Sequence, residues 1–193
     1  MKILPFRILL VILAGICLPD LSSGSSERLD ALSALKSGGG VLMIRHANAP
    51  GSGDPENFKI DDCATQRNLD ERGRAQARAI GQVRRPQAIG RVRLYSSQWC
   101  RCLETARLMK LGAVQPLPAL NSFFSRPDDR ERRIDALKAF LAKQPRDGGP
   151  IILITHYVTI AAMSGEGVSS GEGVVLRVKN GPPQVVGRLN FDQ

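Results

Sequence analysis

A chain of 193 residues with 42% apolar side chains and 19 glycines can build one substantial hydrophobic core but is too short for two ordinary domains. Its 27 Lys and Arg against 18 Asp and Glu give a formal charge of +9, an excess that favours anionic partners. The basic residues are scattered arginines rather than runs interleaved with aromatics, and aromatics amount to 5%; this argues against a nucleic-acid binder and for a pocket that seeks phosphate.

In chain order, Met1 to Arg7 carries Lys2 and Arg7, Ile8 to Leu18 is an apolar run, and Ser22 to Ser26 is small and polar. This pattern predicts a secretory signal peptide over 1–26, cut near Ser22-Ser23-Gly24, with the domain proper over 27–193. The run falls short of the roughly 20 apolar residues needed to cross a bilayer, so no stable membrane insertion is expected after cleavage. Removing 1–26, which holds Lys2, Arg7, Asp20 and Cys17, leaves 25 basic and 17 acidic side chains and the cysteines Cys63, Cys100 and Cys102. In a periplasmic or secreted setting these predict one disulfide, Cys63 with Cys100 or Cys102, and one spare thiol. No Cys-x-x-Cys pair is present and both histidines are better used elsewhere, so no metal and no organic cofactor is expected.

Glu27 to Lys36 has Leu29, Leu32 and Leu35 at helical spacing and runs into Gly38-Gly39-Gly40. Val41 to Ile44 reads as a buried strand, Asn48 to Asp62 as a loop, and a helix from about Asp70 carries Ala75, Ala79, Ile80 and Val83 on one stripe. A strand over Val92 to Tyr95, helices over Cys100 to Leu111 and Arg132 to Gln144, and an apolar strand over Pro150 to Thr155 follow. Val174 to Val178 and Val185 to Leu189, around Asn180-Gly181-Pro182-Pro183, predict a closing hairpin. Strands alternating with helices predict one α/β domain, a three-layer sandwich whose mostly parallel central sheet is covered by helices.

The only two histidines, His46 and His156, each lie just past the end of a buried strand, the edge at which open α/β sheets bind ligands. Their flanks, Ile44-Arg45-His46-Ala47, Ser96-Ser97-Gln98-Trp99-Cys100-Arg101-Cys102-Leu103-Glu104-Thr105-Ala106 and Ile154-Thr155-His156, bring two guanidinium groups to two imidazoles. Arginine stays charged and its planar donors match phosphate oxygens in pairs, while a neutral imidazole beside it can attack phosphorus. Asn48, two residues past His46, is a candidate substrate-binding amide or a loop turn. Trp99 and Phe123-Phe124 are expected chiefly as packing residues, with a pocket wall as the alternative.

These residues resemble the histidine phosphatase superfamily. Arg45-His46-Ala47 is similar to its Arg-His-Gly signature, Leu69 to Ala77 to its Leu-Thr-x-x-Gly-x-x-Gln-Ala segment, and Ser96 to Ala106 to the segment around its second arginine. With His156 the motifs fall in family order over about 41–160. The resemblance implies a phosphoglycerate-mutase-like fold and hydrolysis of a phosphomonoester, a phosphorylated small molecule or envelope phosphate ester. His46 would be the nucleophile forming a phosphohistidine, and Arg45, Arg101 and His156 would hold the phosphate oxygens. The family's general acid has no counterpart: Tyr157 and Val158 follow His156, and Asp128, Asp129 and Glu131 read as a solvated turn. Two other functions therefore stand beside hydrolysis: a phosphate-binding member without turnover, and a phosphohistidine protein phosphatase.

Overall fold

The structure, a computed structural model, describes residues 23–36, 39–83, 91–145, 147–178 and 181–191. Residues 1–22 of the expected signal segment lie outside these. The elements are α1 (Ser23–Lys36), β1 (Gly40–Arg45), α2 (Glu71–Val83), β2 (Arg93–Ser96), α3 (Cys100–Leu108), β3 (Val114–Pro116), α4 (Arg130–Ala142), β4 (Ile151–Thr155), α5 (Tyr157–Ser164), β5 (Gly173–Arg177) and β6 (Gln184–Leu189). They form one six-stranded sheet in the order β3-β2-β4-β1-β5-β6. The first four strands in that order are parallel, and β5 and β6 continue the sheet antiparallel as the expected hairpin.

The apolar runs of β1 and β4 exist because both sheet faces are covered. Leu42, Ile44, Ile152 and Ile154 pack with Ala31, Leu35, Ile80, Cys102 and Ala106 on one side. Val41, Met43, Ile151 and Leu153 pack with Leu137, Leu141, Ile160 and Met163 on the other. Helices α1, α2 and α3 thus cover one face and α4 and α5 the opposite one, which makes the three layers. Side chains such as Leu42, Ile152, Leu153 and Ile154 have no solvent exposure, and burying each stabilises the fold by roughly 1.5–3 kcal/mol.

Several local expectations differ from the fold. α1 begins at Ser23, ahead of Glu27, and α3 stops at Leu108 rather than Leu111. On α2, Ala75 and Ala79 face solvent while Ala77 and Ile80 are buried, so the packed stripe is rotated from the expected one; the side chain of Val83 lies outside the described residues. β3 is an edge strand of three residues ending in Pro116, too short to show a period of two. α5, Tyr157-Val158-Thr159-Ile160-Ala161-Ala162-Met163-Ser164, is apolar nearly all round and carries β-branched residues in its first turn, so no amphipathic period reveals it. It is stopped by Gly165 in the left-handed conformation, φ 77°.

Candidate active site at the carboxyl edge of the sheet

Because β4 lies between β2 and β1, three parallel strands end side by side. The ladder runs on past them: the His46 amide donates to Thr155 O at 2.9 Å, and the Ser97 amide to Ile154 O at 2.9 Å. His46, Ser97 and His156 therefore emerge at one edge, and the two imidazole centroids lie 5.5 Å apart. The amino ends of α3 and α5 open onto the same edge, where the helix dipole favours an anion.

His46 is 2% exposed. Its Nδ1 lies 2.8 Å from Ala47 O, which can only accept, so Nδ1 carries the ring proton and Nε2 presents its lone pair. Arg101 Nε donates to that Nε2 at 3.3 Å. Burial, then the neighbouring Arg101 charge, lowers the His46 pKa from 6.5 to about 3, with the Ala47 hydrogen bond opposing and Arg45 and Arg67 adding to the fall. The ring is neutral at neutral pH and free to act as a nucleophile. His156, 4% exposed, points Nε2 at Ser97 Oγ, 2.9 Å away, and at Cys102 Sγ, 3.5 Å away. Burial, followed by His46 and the arginines, pushes its pKa well down. The Ser97 hydroxyl has a second acceptor in Asn121 Oδ1 at 3.2 Å, and the Cys102 thiol one in Thr155 O at 3.6 Å, so either neutral tautomer of His156 fits these neighbours. Burial raises the Cys102 thiol to about 12, so it stays protonated.

Arg101, 3% exposed, is divided between two tasks. Its Nη1 and Nη2 meet Asp54 Oδ1 and Oδ2 at 2.6 and 3.0 Å, and Nη1 also donates to Arg67 O at 3.2 Å. A guanidinium has five N–H groups in one plane. Asp54 covers the edge formed by Nη1 and Nη2, which leaves Nε and the second Nη2 hydrogen as the edge beside His46. Asp54 also accepts from Trp99 Nε1 at 2.9 Å and from the Arg67 amide at 3.1 Å. Burial alone would raise the Asp54 pKa, but the hydrogen bonds from Arg101 and Trp99 outweigh it and hold the carboxyl below its usual range. It is a carboxylate here and no proton donor.

Arg45 donates from Nη1 to Val168 O at 3.0 Å, stacks over Tyr157 at 5.7 Å, and keeps a buried Nε with no partner in the structure. Arg67 is held by Ala49 O and by Gly53 O, the latter at 2.8 Å, and lines the same cavity. Neither Asp54 nor Arg67 stands out in the sequence: Gly53-Asp54-Pro55 has the composition of an ordinary turn, and Arg67 is one scattered arginine among many.

Of the two roles open to Asn48, ligand or loop residue, its contacts are those of a loop residue. Its side-chain amide donates to Asp70 Oδ2 at 2.9 Å, its backbone amide donates to Gln76 Oε1 at 3.0 Å, and it does not line the cavity. Asp70 Oδ1 in turn caps α2 by accepting from the Gly73 amide at 2.7 Å. A Cβ on Gly73 would collide with the Asn48 carbonyl. The Leu69 to Ala77 segment thus locks the loop that follows His46. Thr105 does the same from α3, accepting from the Ala47 amide at 3.1 Å while donating to Arg101 O at 2.7 Å. The disulfide joins Cys63 to Cys100, with Cα atoms 5.7 Å apart, and ties the loop bearing Asp54 to the residue before Arg101; Cys102 is the free, buried thiol. The cavity above these groups has a volume of about 840 Å³. Among the described residues no cluster of His, Cys, Asp and Glu is arranged to hold a metal.

A family model described as the histidine phosphatase superfamily (branch 1) matches residues 41–123. No curated protein matches the chain. Solved structures share the fold. The protein histidine phosphatase SixA complexed with tungstate is 16% identical, with 79% of this chain and 97% of that one covered and a TM-score of 0.56. Phosphoglycerate mutase from Thermus thermophilus is 19% identical, with 79% and 99% covered and a TM-score of 0.55. A mutant of phosphoserine phosphatase from Entamoeba histolytica, in complex with phosphoserine, is 15% identical, with 79% and 98% covered and a TM-score of 0.55.

Gly73→Ala should destabilise the protein in urea unfolding although alanine is the better helix former by about 1 kcal/mol; a gain in stability would contradict the close approach to Asn48. His46 titrates near 3 in the fold and near 6.5 unfolded, so the stability linked to its neutral form is complete above pH 6.5 and is lost as pH falls toward 3. His156 and Asp54 act in the same sense. The melting temperature should drop through that window, and less steeply in His46→Ala; equal slopes for the two proteins would contradict it.

Proposed function

We propose that the chain is a member of the histidine phosphatase superfamily, whose model matches residues 41–123, and a phosphomonoester hydrolase working through a phosphohistidine on His46. The observation that carries this reading is His46 Nε2, held unprotonated beside the open edge of Arg101 and facing a second neutral imidazole.

In the reaction, the phosphate enters between Arg45, Arg101 and His156. Its oxygens take hydrogen bonds from the Arg45 guanidinium, the Arg101 Nε and Nη2 hydrogens and the His156 ring. Arg101 Nε then turns from His46 to the phosphate, which frees the Nε2 lone pair to attack phosphorus. The N–P bond forms as the ester P–O bond breaks, and the leaving oxygen departs with the electron pair and takes a proton from solvent. Water next attacks the phosphohistidine, the N–P electrons return to Nε2, and inorganic phosphate is released with the loss of a proton. The rate gain comes from fixed positive charge that needs no reorganisation as the transferring group develops negative charge. Asp54 is a positioning residue in this scheme: it holds Arg101 by one edge so that the other meets the phosphate. With Asp54 locked as a carboxylate, the chemistry suits esters whose leaving group departs readily.

Export to the periplasm or outside the cell belongs to the same proposal. The apolar segment Ile8 to Leu18 and the disulfide Cys63–Cys100 support it, since disulfides persist in oxidising compartments.

The purified protein should hydrolyse p-nitrophenyl phosphate and leave an acid-labile phosphoenzyme on rapid quench. His46→Ala should lose both, with turnover falling by roughly 10³-fold or more. Asp54→Asn should lower kcat/KM on the order of tenfold to a hundredfold while the disulfide stays intact, the cost of one charge-assisted hydrogen bond. Saturable phosphate binding without turnover on any ester would contradict hydrolysis and select an anion-binding module.

A further inference from the structure

Four large hydrophobic side chains are exposed among the described residues: Phe124 at 58%, Tyr157 at 47%, Val185 at 40% and Ile60 at 37%. All but Val185 line the cavity above His46. They reach it from three separate segments: Ile60 from the loop between β1 and α2, Phe124 from the stretch before α4, and Tyr157 from the first turn of α5. Phe124 extends to the Asp54 loop, since a Cβ on Gly53 would sit 3.9 Å from its Cε1. Deeper in, Phe58 stacks on Trp99 with centroids 4.9 Å apart, and both rings line the wall. The neighbouring Phe123, by contrast, is buried in the core.

The cavity therefore joins buried cationic groups to exposed apolar side chains, set among polar residues that include Ser52, Glu56, Gln98, Ser125, Arg126 and Arg133. Isolated exposed hydrophobics are ordinary on a protein surface, but convergence on one opening marks a binding surface. A phosphate seated against His46 directs its ester oxygen into the open cavity, where Phe124, Ile60 and Tyr157 are accessible to a leaving group. An apolar leaving group would take these side chains out of water, a gain of about 25 cal/mol per Å² of apolar surface.

We infer that the site binds phosphomonoesters more tightly when the leaving group carries an apolar segment, an aryl ring or alkyl chain. This rests on the phosphatase reading for its chemistry, but binding alone tests it.

Calorimetric titration of the full chain with n-alkylphosphonates from methyl to hexyl separates the two questions, because these ligands are not hydrolysed. Affinity should rise about threefold to fourfold per methylene over the first carbons. In Phe124→Ala and Ile60→Ser the rise should fall below about twofold per methylene, with methylphosphonate as the reference for each variant. A flat series in the unaltered protein, or an undiminished slope in both variants, would overturn the inference. A slope without phosphoenzyme on any ester would leave the inference standing and remove the catalytic reading.

Discussion

The rest of the site depends on how one buried guanidinium is shared. Arg101 is 3% exposed, and a charge so placed is tolerable only with a partner and complete hydrogen bonding. Asp54 meets this need along one edge of the plane and leaves the other open beside His46. That arrangement fixes the direction from which an anion can approach. It also explains the disulfide, which joins the loop carrying Asp54 to α3 one residue before Arg101, so that both halves of the pair move as one unit. Trp99 Nε1 and the Arg67 amide complete the carboxylate's shell.

The same concentration of charge governs the imidazoles. Arg45, Arg67 and Arg101 all act against protonation of His46 and His156, and burial acts with them. The pair is thus neutral without any acid–base partner, which a nucleophile requires. On the proposed reading, an arriving phosphate dianion would offset the Arg45 and Arg67 charges, so the site would be organised in advance for the charged state it stabilises. Phe124, Ile60 and Tyr157 line the same cavity as exposed apolar side chains.

Much of this is legible in the sequence because it is local. Buried runs such as Val41 to Ile44 announce strands, and a histidine at the end of each of two such runs places both at the carboxyl edge. The Leu69 to Ala77 and Ser96 to Ala106 segments are recognisable as motifs, yet their work emerges only in three dimensions: Gly73 and Gln76 grip Asn48, and Thr105 grips Ala47. Asn48 reads as a ligand because it is two residues from His46, but Asp70, 22 residues away, takes its amide. Asp54 is invisible for the complementary reason: a turn-type Gly-Asp-Pro becomes a partner for Arg101 only when the loop folds back. α5 escapes notice since a helix buried on most sides has no polar stripe to set its period.

The division of Arg101 between Asp54 and a phosphoryl group next to His46 is tested most directly by a crystal structure of the protein with orthovanadate. Vanadium is expected within bonding distance of His46 Nε2, with two vanadate oxygens on the Nε and Nη2 edge of Arg101 and Asp54 still paired with Nη1 and Nη2. Vanadate bound in place of the Asp54 carboxylate, or bonded to any group other than His46, would contradict it.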